Sequence, residues 1–157
     1  MSAFVLAVAF TIGVSFVCSL MEAMILSTTV TEVEALKKRS PRRGLALERL
    51  KTHLSETISA ILTLNTVANT LGATIVGGLA AKLFGELWIG VISGALTVVI
   101  LIFSEVIPKN LGVAYREAIQ PLAALPLSML CKALQPITYL CNLSVRLFVR
   151  NQPQSET

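Results

Sequence analysis

The sequence predicts an all-α membrane protein: three transmembrane helices with a juxtamembrane helical belt on the cytoplasmic side. Three observations carry that reading. Hydrophobic residues make up 54% of the chain and charged residues 14%, with a mean hydropathy of +0.75, outside the range of soluble domains. Apolar runs long enough to cross a bilayer recur at about residues 3–29, 55–79 and 87–108. Between the first two lies a block from Lys37 to Lys51 that holds seven of the thirteen Lys and Arg residues.

The first run has no Lys or Arg before it and no small-residue cleavage site, so it is expected to stay in the membrane as a span rather than be removed as a signal peptide. Thr31 and Glu34 then match a capping box, which predicts a fresh cytoplasmic helix from there to the Ser40-Pro41 break. A short turn around residues 80–86 joins the second and third spans. Since the first loop carries the basic block and the second only Lys82, the first loop is expected inside the cell, the N-terminus outside and the C-terminus inside, in the plasma membrane.

Residues 116–149 are apolar in bulk but contain Pro121, Pro126, Pro136 and Lys132. Prolines interrupt a spanning helix. The prediction is a set of short, broken helices along the cytoplasmic interface, with Lys132, Arg146 and Arg150 turned toward headgroups; a fourth span is the alternative. Residues 1–150 thus make up a transmembrane domain, and residues 151–157 a polar tail or linker.

Composition excludes several function classes. The basic residues have no aromatic or RNA-binding motif among them, so no nucleic-acid partner is expected. Cys18, Cys131 and Cys141 are odd in number and lack C-x-x-C spacing, which argues against disulfides or a zinc site and for small core residues. No His or Lys stands beside Ser15 or Ser19 to take a proton, so an intramembrane serine hydrolase is disfavoured and no enzyme activity is expected. His53 reads as an ordinary interfacial residue.

Polar side chains inside the spans cost several kcal/mol, of order 1–3 or more, unless they meet a protein partner or a water-filled cavity. Ser15, Ser19 and Glu22 lie on one face of the first span at i, i+4, i+7. Asn65 and Asn69 share a face of the second, and Ser104 and Glu105 precede Pro108 in the third. Pro108 lacks the N–H that would bond the Ser104 carbonyl, which leaves a backbone oxygen beside Glu105. Hydroxyls, amide oxygens, a carbonyl and carboxylates without histidine or clustered thiols suit a hard cation, magnesium or sodium. The candidate metal residues are Ser15, Ser19, Asn65, Asn69, Ser104 and Glu105, with Glu22 and Pro108 structural at the site.

Each has a plainer role to weigh against that one. Membrane serines bond backbone carbonyls, asparagines glue helices together, Glu22 can pair with a cytoplasmic arginine, and Pro108 can be a simple kink. The convergence of three polar stripes favours the cation. Gly90 and Gly94 form a G-x-x-x-G stretch suited to helix packing within the chain or in a dimer, and Gly72, Gly77 and Gly78 form a second small-residue surface.

The segments "SFVCSLMEAMILS", "LNTVANTLGA" and "FSEVIPKNLG" resemble the membrane domain of the CNNM/CorC magnesium transporters over nearly the whole chain. That resemblance implies a homodimer of three spans per subunit, a cytoplasmic juxtamembrane belt, and an inward-opening Mg²⁺ site at the residues above, with Mg²⁺ as the transported ion and Na⁺ as a coupling ion. It also implies C-terminal regulatory domains in the full-length protein. The competing reading is a non-transporting dimeric anchor for such a C-terminal module.

Overall fold

The computed structural model describes residues 1–149; the side chains of Cys141, Asn142 and residues 145–149, and residues 150–157 with the expected polar tail, lie outside the described residues, and so do the placements expected of Cys141, Arg146 and Arg150. Helix α1 spans Ser2–Ser27, α2 Val30–Arg39, α3 Pro41–Thr52 and α4 Leu54–Phe84. A 3₁₀ turn at Glu86–Trp88 leads into α5, Ile89–Ile100, then a π-helical turn at Leu101–Val106, α6 at Ile107–Ala114 and α7 at Arg116–Val149. Among the described residues there is no strand. Three segments are long and apolar enough to cross a membrane: Ser2–Ser27, Leu54–Phe84 and Glu86–Ala114.

The junction after α1 differs from expectation in register. The capping box forms at Thr29 and Glu32, not at Thr31 and Glu34: the Thr29 hydroxyl accepts from the Glu32 amide at 3.3 Å, and Glu32 accepts from the Thr29 amide at 2.9 Å. Both pairs have the required spacing, but Thr28 and Thr29 are already extended, so α2 starts two residues earlier and Glu34 is left to pair with Lys37. The last carbonyls of α1 are taken up locally. Ser27 and Thr28 hydroxyls donate to the carbonyls of Ala23 and Met24, and the Lys51 ammonium donates to Ile25 at 3.0 Å.

Pro41 opens α3 at its first turn, where its missing N–H costs nothing. Gly44 lets α3 fold back on α2, since a Cβ there would meet the Lys37 Cα at 2.5 Å. The second span runs five residues beyond its predicted end at 79: Ala80 is buried within the helix, and the reversal falls on Gly85, whose φ of +82° suits glycine. The third span likewise passes through Pro108 to Ala114 rather than ending there, because Pro108 sits in the first turn of α6, after the ladder has already widened.

Residues 116–149 form one 34-residue helix instead of short, broken pieces. Interior prolines remove hydrogen bonds and bend a helix without having to end it when tertiary contacts hold both sides. Those contacts exist here: Ala123, Ala124 and Leu127 are buried in the core cluster. That core, with Met24, Ile25, Leu47, Leu50 and Ile61, lies where the C-terminal end of α1, the α2–α3 hairpin, the start of α4 and α7 meet.

A polar clamp fixes the start of α7. Glu32 accepts from Arg116 at 2.8 Å and from Gln120 at 3.1 Å, and Gln120 also donates to the Thr28 hydroxyl at 3.1 Å. Burial pushes the Glu32 carboxyl up, but the bonds from the Thr29 amide, Arg116 and Gln120 and the Arg116 charge outweigh it and hold the group below the usual carboxylate range. Cys18 is buried as expected, whereas Cys131 is only half-buried at the face of α7 toward α4.

Candidate functional site

Helix register places the polar stripes. Gly72 of α4 sits directly on Thr11 of α1, with space for no Cβ, and Ser15 donates to the Asn65 amide oxygen at 2.7 Å. Higher numbers on one helix meet lower numbers on the other, so α1 and α4 are antiparallel. Against the third span the order is the same on both sides: Ser104 faces the Ile12 carbonyl at 3.4 Å, Lys109 reaches Glu22 at 3.6 Å, and Gly112 rests on the Leu20 carbonyl and the Met24 amide. The first and third spans therefore run parallel, with α4 against α1.

This register sinks the predicted polar residues into the bundle. Ser15, Ser19 and Ser104 are fully buried, and Asn65 and Asn69 are half-buried. Ser15 and Asn65 satisfy one another. The Ser19 hydroxyl oxygen and the Asn69 amide oxygen are buried with no hydrogen-bond partner among the described residues. Each such orphan costs about 1–3 kcal/mol, and buried polar atoms are otherwise almost always paired.

Glu105 follows Ser104 on the π-helical turn, half-buried and without an ion pair among the described residues. The turn is a consequence of Pro108. With no N–H at that position the ladder widens beforehand, and the Ile107 amide bonds the Ile102 carbonyl five residues back. Pro108 itself is fully buried against the bundle. Glu22 pairs with Lys109 of the third span, not with an arginine of the basic loop, because the parallel register brings Lys109 beside it.

Sequence reasoning missed three features. Thr11 is buried at the Gly72 contact and extends the Ser15, Ser19 stripe one turn toward the start of α1; its i, i+4 spacing was a visible signal. Lys109 and the π-turn carried none beyond Pro108 itself. Gly90 and Gly94 meet nothing within 4 Å and belong to an open outer face of α5. Among the described residues no group of three or more His, Cys, Asp or Glu comes together, so the clustered polar atoms are hydroxyl and amide oxygens.

Residues 6–157 match the family described as CNNM, the Cyclin M transmembrane N-terminal domain. The chain belongs to this family. Among curated relatives of this CNNM-type domain is "UPF0053 protein sll1254" of Synechocystis sp., 34% identical over 80% of this chain and 36% of its own length. "UPF0053 inner membrane protein YfjD" of Escherichia coli is 27% identical over 73% of this chain and 27% of its length. A "UPF0053 protein" of Haemophilus influenzae is 25% identical over 78% of this chain and 29% of its length. The CNNM domain described here thus spans about a third or less of these relatives.

Proposed function

We propose that this chain is the membrane domain of a magnesium transporter, exporting Mg²⁺ through an oxygen-lined site between α1, α4 and the third span, with Na⁺ exchange as the driving force. The observation that carries the proposal is two buried, unpartnered oxygens, Ser19 Oγ and Asn69 Oδ1, which the antiparallel register of α1 and α4 sets about one turn to either side of the Ser15–Asn65 pair. A dehydrated Mg²⁺ needs about six oxygens near 2.0–2.1 Å. Ser15, Ser19, Asn65, Asn69, Ser104 and Glu105 offer hydroxyl, amide and carboxylate oxygens along that stretch from three helices, so an ion at any one level meets some of them and keeps water for the rest. Membership of the CNNM family, whose transmembrane domain the sequence resembles in these stretches, supports the same assignment.

In this proposal the protein is a homodimer in the plasma membrane, with the basic α2–α3 hairpin inside the cell, and acts as a carrier, not an enzyme. C-terminal regulatory domains belong to the functional unit in this reading, as the family resemblance implies. Calorimetric titration of the purified protein with Mg²⁺ is the test: saturable binding is expected, and Asn65→Ala should weaken it at least about tenfold, the effect of losing one strong ligand bond. Unchanged binding in the variant would sink the site.

One observation favours the competing anchor reading. The Ser15–Asn65 bond is the interhelical glue that a non-transporting scaffold would use. Flux from Mg²⁺-loaded liposomes separates the two, since a folded dimer that moves no ion is an anchor.

A further inference from the structure

We propose that the cleft between α3, the start of α4 and α7 binds the phosphate headgroup of an anionic membrane lipid. Two adjoining hollows form it, one of about 160 Å³ and one of about 350 Å³, and Arg49, Ser128 and Lys132 line both. Arg42 joins the larger hollow, and Gln135 and Thr57 the smaller. Among the described residues Arg42, Arg49 and Lys132 take part in no ion pair, whereas Lys37, Lys109 and Arg116 are each held by a glutamate. The acid in the lining is Glu56, so three cations face one carboxylate.

A hollow with excess positive charge and neutral donors from a hydroxyl and an amide has the chemistry of a phosphate site. Its position selects the source of the phosphate. His53 closes α3 and lines the smaller hollow, and the spanning helix α4 starts at the next residue, so the cleft opens at the level where the apolar segment begins. Leu45 and Met129 flank the cations in the larger hollow while 47% and 71% exposed. A soluble phosphate has no use for bare apolar side chains beside its cations, but a phospholipid brings an acyl chain to cover them. This assignment is independent of the cation site among the spans.

The test uses the purified chain in a neutral detergent, with thermal unfolding and native mass spectrometry as readouts, and phosphatidylglycerol, phosphatidylcholine and inorganic phosphate as probes. Phosphatidylglycerol should raise the unfolding midpoint and stay bound in the gas phase, and the other two should do neither. The double variant Arg49→Gln, Lys132→Gln should weaken retention on the order of tenfold, from two surface cations each contributing several-fold. Lys38→Gln with Arg39→Gln removes the same charge from the exposed end of α2 and should leave retention unchanged. Ser128→Leu fills the cleft without altering charge and should reproduce the loss even if the charge variant fails to fold. Equal loss in both double variants, or undiminished retention in Ser128→Leu, would overturn the site. Stabilisation by inorganic phosphate equal to that by phosphatidylglycerol would overturn the lipid as its source.

Discussion

Gly72 and Thr11 show how one missing atom sets a register. A Cβ on Gly72 would lie 2.1 Å from the Thr11 hydroxyl and 2.8 Å from its Cβ, too close for a rotamer change to relieve. Gly72→Ala should therefore destabilise the protein by about 1–3 kcal/mol despite the better helix propensity of alanine, and adding Thr11→Ala should recover most of the loss in a double-mutant cycle. Thermal unfolding in detergent measures both. Glu32 gives a second prediction at this scale. Its carboxyl titrates lower in the folded protein than the ordinary value of 4.5, so its contribution is complete above that pH and is lost as the pH falls through the lower folded value. The unfolding midpoint should drop steeply below about pH 4.5, and Glu32→Gln should flatten that drop while costing about 1–3 kcal/mol at neutral pH.

Among the helices, the π-turn before Pro108 is the feature with most bearing on mechanism. Restoring an amide with Pro108→Ala should let Leu101–Val106 relax to an α-helix, turning Ser104 and Glu105 about a quarter-turn relative to α6. Mg²⁺ flux from loaded liposomes should then fall several-fold while stability holds or rises by up to about 3 kcal/mol. Undiminished flux would mean that the turn is only a kink. The elements were mostly legible from sequence because hydropathy over twenty residues outweighs local detail: three spans, the α2 helix and the polar faces of α1 and α4 all follow from periodicity and composition. What was not legible depends on partners distant in the chain. The capping box could be Thr29–Glu32 or Thr31–Glu34 by spacing alone, and α7 continues past Pro121 and Pro126 where Ala123, Ala124 and Leu127 are held in a core. Likewise Ser15 and Ser19 announce themselves by spacing, but which of them bonds Asn65 and which is left bare depends on the stagger of two helices.

At the scale of the whole molecule, buried side chains concentrate at one end. Residues of α1 beyond Ser15, the α2–α3 hairpin, the beginning of α4 and the first half of α7 hold the core cluster, while no residue of α5 is buried. Backbone amides near Met24, Leu47, Ile61 and Leu127 should exchange with deuterium far more slowly than those of Ile89–Val98, and uniform protection along α4 and α5 would contradict this division. The seating of Gly112 on the backbone of α1, with Lys109 gripping Glu22 one turn away, makes the third span a rod clamped at its foot. From Gly112 to Ile89 the span covers about 35 Å, and the Gly85–Trp88 turn ties its far tip to α4, so a tilt of about 10° at the foot, roughly 6 Å at the tip, has to carry the end of α4 with it.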